Sequence, residues 1–464
     1  MAQRPLLSLS DIEQWLDARR SDWLKEFISF LSFPSISSEP EFKQSMEDCA
    51  NWLIDYLKTL NFEIELWPTE RHAVIFASNM QAGPSQPTLL IYHHYDVQPV
   101  DPLEEWKSPP FEPSVHDGQI YARGAQDNKG QCFYTLQSLK ILKELKGSFP
   151  INIKLCIEGE EEIGSCGLQG LLKCKKEKLK ADYLAICDLG LRRARTPTLT
   201  LGIRGVITLD VEVKGSEIDL HSGSHGGIAP NPIHALIKLL ASLRDDQGRI
   251  TIAEFYRDVK EMSAIESSSI SFAFDCDEYH QQTGAYPTGG ELAYSPLERG
   301  WTRPSLEING IWGGYIGKGF KTVIPAKAFA KISCRLVPNQ NPQDIALLVA
   351  NHLKEHAPAG VEIKVDLHPG QGQAVHISPH AKVVKIFSKA FEEVFSAPCE
   401  FIFDGASIPI VSDLAAASEA ETILLGLGLM TDQIHAPNEH FGLDRLEQGT
   451  KIMVRAIELM EDIP

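Results

Sequence analysis

Thr88-Leu89-Leu90-Ile91-Tyr92-His93-His94-Tyr95-Asp96 runs from a short apolar stretch into two imidazoles and a carboxylate. A run of this length, rich in branched and aromatic residues, reads as a buried strand, and the polar end of such a strand is where an open α/β sheet binds its ligands. Two further stretches repeat the design. Ile151 to Ile157 alternates and opens into Glu158-Gly159-Glu160-Glu161-Glu162, and Tyr183 to Cys187 ends at Asp188. A fourth, Thr422 to Gly426, precedes a loop holding His435. Helix-like segments, about Gly130 to Leu145 and Leu168 to Leu179, lie between the first three, and this alternation predicts an α/β layer with a largely parallel sheet.

Upstream, Ser10-Asp11-Ile12-Glu13 has the pattern of a capping box before an amphipathic helix, and a second helix is expected from about Ser45 to Leu60. Downstream of Gly205 the style changes. Val206 to Val213, Pro232 to Leu243, Leu306 to Ile311, Ala328 to Leu336, Pro342 to His356 and Val361 to Leu367 read as β-α-β-β-α-β, the order of a ferredoxin-like split βαβ unit. An irregular connection from about Ile250 to Pro304 interrupts it. After Gly370 the first style returns, with a helix near Ala381 to Phe395. The expected organisation is an α/β unit of residues 1–204 and 372–464, split in sequence by an inserted α+β unit of residues 205–371.

The chain has 464 residues, with 43% hydrophobic and 23% charged, which points to a packed globular protein of several domains. With 44 Lys plus Arg against 62 Asp plus Glu the formal charge is −18, which argues against a nucleic-acid partner because polyanion binding needs a basic surface. The longest apolar run near the C-terminus, Ile423 to Met430, is too short to span a bilayer, and no export signal is visible. Nine cysteines without C-x-x-C spacing read as reduced thiols, so the expected location is the cytoplasm.

The polar strand ends carry the chemistry. In His94-x-Asp96 an extended backbone puts both side chains on one side, so the carboxylate can orient the imidazole; alone, the pair reads as an ordinary hydrogen-bonded or exposed pair. The glutamates from 158 to 162 could be a solvated loop, but carboxylates crowded after a half-buried strand repel one another unless a cation is present. Asp127, in Arg123-Gly124-Ala125-Gln126-Asp127-Asn128-Lys129-Gly130, reads alone as a helix N-cap. Neither a P-loop nor a G-x-S-x-G nucleophile turn occurs.

Taken in order, His94-x-Asp96, the glycine-bounded turn with Asp127, Glu161-Glu162, Asp188, Asp219-Leu220-His221-Ser222-Gly223 and His435 resemble the motifs of the di-zinc exopeptidases. That family includes carnosine-type and other cytosolic dipeptidases, carboxypeptidase G, succinyl-diaminopimelate desuccinylase and acetylornithine deacetylase. The likeness covers nearly the whole chain. Tyr95-Asp96-Val97-Gln98-Pro99, Lys321-Thr322-Val323-Ile324-Pro325 and Arg335-Leu336-Val337-Pro338-Asn339 bring it nearest the dipeptidase branch.

The resemblance implies two divalent ions, zinc first, with manganese or cobalt as alternatives. Asp127 would bridge them, His94 and Asp188 would complete one set of ligands, and Glu162 and His435 the other. Asp96 would orient His94, and Glu161 would be the general base acting on a hydroxide held between the ions. His221 would reach from the inserted lid of a partner subunit to stabilise the oxyanion, with Thr322 beside it, which implies a homodimer through the inserted domain. Arg335, with Ser407 and the backbone at Gly405, would hold the carboxylate of a small peptide substrate. From the residues alone, His221 is equally a surface residue in a polar turn, and Arg335 a structural ion pair. Asn128 departs from the family, where a second Asp is common after a cis bond; it preserves shape and removes a charge. His93 should point away from the ions. The leading expectation is a metallo-dipeptidase. An N-acyl amino acid deacylase or carboxypeptidase on the same scaffold is the neighbouring reading, a two-metal phosphoesterase is another, and a non-catalytic metal-binding protein is disfavoured by the intact ligand set.

Overall fold

In the computed structural model, which describes residues 5–262, 270 and 273–461, the apolar runs become strands. In chain order these are β1 (Glu63–Trp67), β2 (Val74–Asn79), β3 (Thr88–His94), β4 (Ser114–His116), β5 (Gln119–Tyr121), β6 (Asn152–Glu158), β7 (Tyr183–Cys187), β8 (Thr198–Ile203) and β9 (Gly205–Lys214). They continue with β10 (Leu220–His221), β11 (Ser305–Gly313), β12 (Val323–Ile324), β13 (Lys327–Leu336), β14 (Glu362–Leu367), β15 (Val375–His376), β16 (Glu400–Asp404), β17 (Glu421–Leu425) and β18 (His440–Gly442).

The large sheet has the order β1-β2-β6-β3-β7-β17-β8-β15, with β16 also on β8. Its centre, β6-β3-β7-β17, is parallel, as the buried apolar runs predict. Its flanks differ from the sequence expectation: β1 on β2, β2 on β6, β8 on β17 and β15 on β8 are antiparallel. The outer strands β1 and β2 alternate less with helices, so a short connection returns the chain in the opposite direction. Because β3 pairs with β6 on one side and β7 on the other, the strand order reverses at β3, and a crevice opens beyond its carboxyl end.

The helix Lys129–Lys146, buried along its first three turns, packs on the C-terminal helix Leu443–Met460, which also receives Lys382–Phe395. It ends at Gly147, whose φ of +78° allows its N–H to reach Lys143 O. At the N-terminus the capping box is real but displaced. Ser8, not Ser10, is the cap: Asp11 N donates to Ser8 Oγ at 3.0 Å and Ser8 N to Asp11 Oδ2 at 3.0 Å. The helix starts at Leu9, which puts Asp11 in the third position and leaves Ser10 inside the first turn.

The inserted lid is a four-stranded antiparallel sheet, β11-β13-β9-β14, with helices Pro232–Ala241 and Pro342–Glu355 packed against it. Each helix starts with Asn followed by Pro, the Asn side chain accepting a backbone N–H and the Pro supplying a preset φ. Alternate residues of β9, Ile207, Leu209, Val211 and Val213, join Leu236, Leu239 and Val349 in an apolar cluster distinct from that of the large sheet. β15 then rejoins the large sheet. Among its described residues the irregular 250–304 connection includes the short helices Cys276–Thr283 and Pro296–Trp301; its residues 263–269 and 271–272 lie outside the described residues. Among the described residues no helix is long and apolar enough to cross a membrane.

Since Leu239 is fully buried in the lid cluster, Leu239→Ala is expected to destabilise the lid by about 2–5 kcal/mol. Urea unfolding followed by tryptophan fluorescence should show this loss as a lower midpoint.

Candidate metal centre

The crevice beyond β3 collects the polar ends of four parallel strands. His94 closes β3 and lies in the interior, its Nε2 3.1 Å from Asp127 Oδ1 and 3.6 Å from Asp188 Oδ1. Its Nδ1 sits 3.3 Å from Asp96 Oδ1. Asp96 does more than orient this ring. Its two oxygens also accept the backbone N–H groups of Glu161, at 3.2 Å, and Glu162, at 3.1 Å, and the Ser37 hydroxyl at 2.6 Å. One buried carboxylate thereby ties the end of β3 to the turn after β6.

The Asp127 turn crosses the same space. Gly124 has φ +83°, and a Cβ there would lie 2.6 Å from Val97 Cγ1, so no other residue fits this approach. Asp127 Oδ1 faces His94, while Oδ2 is 2.9 Å from His435 Nε2, which in turn is 3.4 Å from Glu162 Oε2. Two three-residue groups result, His94 with Asp127 and Asp188, and Asp127 with Glu162 and His435. The first is the more enclosed, with His94 fully buried and Asp127 and Asp188 partly so; the second opens to solvent, His435 being 52% exposed.

The peptide bond between Asp127 and Asn128 is cis. Asn128 donates to Cys187 O at 2.7 Å and to Asp188 Oδ1 at 2.6 Å, and accepts from His93 Nδ1 at 2.8 Å. His93 therefore faces away from Asp127. Burial pushes its ring down to about 3, so it is neutral.

The electrostatics mark a cluster short of positive charge. Burial first, then the neighbouring acids, pushes the carboxyls of Glu161 and Glu162 well up. Burial also raises Asp188, with Asp127 adding to it. Burial works against charging His94, yet Asp188 and the bonds to Asp127, Asp188 and Asp96 drive it well up. Asp127 itself is held low, because hydrogen bonds from His435 and His94 outweigh its burial. Protons and divalent cations compete for such a set. Paired oxygen and imidazole donors on either side of a shared carboxylate fit two ions of the zinc or manganese type.

Among the other expected residues, His221 Nδ1 accepts from Gly223 N at 3.0 Å and its Nε2 is 3.5 Å from Thr322 Oγ1, so β10 and β12 bring these two together on the lid. Arg335, at the end of β13, loses basicity through burial, which Asp404 partly opposes. Arg204 Nε donates to Gly405 O at 3.0 Å, and Arg335 acts on Arg204 as a like charge. Ser407 Oγ is buried without a hydrogen-bond partner among the described residues.

Sequence reading missed three contributors. Gln98 Nε2 donates to Glu162 Oε2 at 2.8 Å, Ser37 braces Asp96, and Glu439 accepts three backbone N–H groups of the Asp127 turn. None carries a spacing signal; only the Gln98 position, two residues past Asp96, lay inside a motif already noted.

The model of peptidase family M20/M25/M40 matches residues 90–459. The chain belongs to this family. Among curated relatives of this M20 peptidase, the Cys-Gly metallodipeptidase dug1 of Schizosaccharomyces pombe is 30% identical, over 96% of this chain and 97% of that protein. Among solved structures, human carnosine dipeptidase 1 superposes with a TM-score of 0.83 at 28% identity, covering 99% of this chain and 100% of that one. An M20 family metallo-carboxypeptidase, Sso-CP2 from Sulfolobus solfataricus, gives 0.85 at 33% identity, covering 95% and 100%. The M20 chain is thus a metallopeptidase with the fold of the dipeptidase branch, a catalytic α/β layer carrying an inserted lid.

Because one group is more enclosed than the other, graded chelation is expected to remove ions in two steps. His435→Ala should retain about one ion per chain, counted by mass spectrometry after gel filtration; two ions at wild-type affinity would contradict the grouping.

Proposed function

We propose that this M20 peptidase hydrolyses the peptide bond of dipeptides, or of short peptides with a free C-terminal carboxylate. The observation that carries this reading is the division of Asp127, one oxygen toward each three-residue group, with Glu161 alongside. His94, Asp127 and Asp188 would hold one divalent ion and Asp127, Glu162 and His435 the other, zinc first, with manganese or cobalt as alternatives. Bound there, the ions supply Lewis acidity to the scissile carbonyl and ease the deprotonation of water.

Glu161 is the general base. Its backbone is fixed by Asp96 while its side chain makes no hydrogen bond of its own among the described residues, leaving it free to take a proton from the attacking water and pass it to the leaving amine. Asp96 keeps the His94 ring in place. Arg335, Ser407 and the Gly405 backbone hold the substrate carboxylate; a guanidinium and an orphan buried hydroxyl suit that group. Glu161→Gln is expected to keep both ions and lower kcat about 100- to 10,000-fold, and activity near wild type would remove Glu161 from this role.

His221 and Thr322 belong to the oxyanion side of the site and act across a homodimer. The unit of residues 205–371 is then both lid and dimer contact, attached to a catalytic unit of 1–204 and 372–464. β11 is an edge strand exposing Ile308, Ile311 and Trp312, and beyond it Ile316 and Phe320 are 91% and 90% exposed, an apolar row that a second copy can cover. Mixing His221→Ala with Glu161→Gln protein under subunit exchange should recover activity that neither variant has. A fully active monomer by sedimentation would rule out the shared site. The free thiols of all nine cysteines accord with a cytoplasmic location.

The Sulfolobus neighbour, described as a metallo-carboxypeptidase, favours one second reading, removal of C-terminal residues from longer peptides. A panel of dipeptides, longer peptides and N-acyl amino acids, assayed after chelation and metal return, separates these. Dipeptide turnover restored by metal supports the first reading; inert dipeptides beside rapid cleavage of the longer or acylated substrates would replace it.

A further inference from the structure

The hydrogen-bond donors of the Asp127 turn converge on a carboxylate outside both three-residue groups. Glu439 is 1% exposed. Its Oε1 accepts the backbone N–H groups of Gln126 and Asp127, each at 3.0 Å. Its Oε2 accepts that of Gly124 at 2.9 Å and Arg123 Nη1 at 2.8 Å. Even its carbonyl is used, by Ala122 N at 3.1 Å. A turn with successive N–H groups facing inward has no strand or helix partner for them, and a two-oxygen anion is the group that satisfies such a cradle.

Position in the chain adds a second observation. Glu439 follows His435 by four residues, and the short segment between is fixed: Asn438 Oδ1 accepts Lys107 N at 2.8 Å and Asn438 Nδ2 donates to Glu105 O at 3.0 Å, with φ of +58° at His435 and +66° at Asn438. The same residue thus grips the backbone of Asp127 and stands at the end of the loop that presents His435. By contrast, His94 is set by β3 and Asp188 by Asn128, neither through Glu439.

We propose that Glu439 is a positioning residue that keeps Asp127 in register with His435, so that the open group of Asp127, Glu162 and His435 depends on it more than the group of His94, Asp127 and Asp188 does. The inference rests on the ligand assignment proposed above. Residues that hold metal ligands in place without touching the ion are worth about 10- to 100-fold in affinity. A merely structural ion pair with Arg123 would instead lower thermal stability and leave the two affinities in their wild-type ratio.

The test is titration of metal-stripped full-length protein with cobalt(II), followed by visible absorbance, with ions retained after gel filtration counted by mass spectrometry. For Glu439→Gln the first ion should bind within about threefold of wild type and the second about 10- to 100-fold more weakly. Both ions unchanged, or both weakened equally, would overturn the proposal. Should the Gln variant not fold, Glu439→Asp, which keeps the charge and shortens the reach, is judged by the same outcomes. Arg123→Met, which removes the ion pair and leaves the three N–H bonds, should lower Tm and spare the second ion; selective loss of that ion would assign the effect to Arg123 and sink the proposal. Wild-type protein that binds fewer than two ions would instead bring down the ligand assignment itself.

Discussion

Mutual repulsion among buried carboxylates is the constraint around which this molecule is arranged. Asp96, Asp127, Glu161, Glu162 and Asp188 meet in one crevice, where low dielectric strengthens their repulsion. Four of the five have partners among the described residues that offset this, Glu161 being the exception. Asp96 is surrounded by N–H and O–H donors, Asp188 receives the Asn128 amide, Glu162 receives Gln98, and Asp127 lies between two imidazoles. Such an arrangement leaves a deficit of positive charge at a defined place, which is what a pair of divalent cations supplies.

The parallel centre of the sheet makes this gathering feasible. β3, β6, β7 and β17 all end on the same side, so segments distant in sequence deliver polar side chains to one place. The lid, with its own apolar cluster, can carry His221 and Thr322 on a separate platform. Stability of the platform and charge compensation in the crevice are then largely independent quantities.

The strand ends were legible because the signals there are local. A buried run followed by His94-x-Asp96, or by the glutamates to 162, marks the strand and its polar end within a dozen residues, while the roles of those residues came only from the family resemblance; the β-α-β-β-α-β order of the lid needed only periodicity. Three features were not legible in this way. The antiparallel flanks of the large sheet depend on which edge a short strand finds, which no window of sequence contains. The N-terminal cap moved by two residues, from Ser10 to Ser8, because several nearby Ser and Asp residues offer the same chemistry. Glu439 acts on backbone N–H groups more than three hundred residues away, and backbone donors leave no mark on composition or spacing. Asn128 was visible only as a departure; its use as a bridge between His93 and Asp188 required coordinates.

The place of β17 in the large sheet has a bearing on how the chain is made. It sits between β7 and β8, strands encoded more than two hundred residues earlier. During synthesis both neighbours emerge from the ribosome long before their partner, leaving β7 with one unpaired edge throughout production of the lid. His435 and Glu439 arrive later still. A nascent chain of this protein therefore already carries His94, Asp127, Glu161, Glu162 and Asp188 while lacking the strand and loop that stand beside them in the folded protein, so closure of the sheet waits for the C-terminal part of the chain.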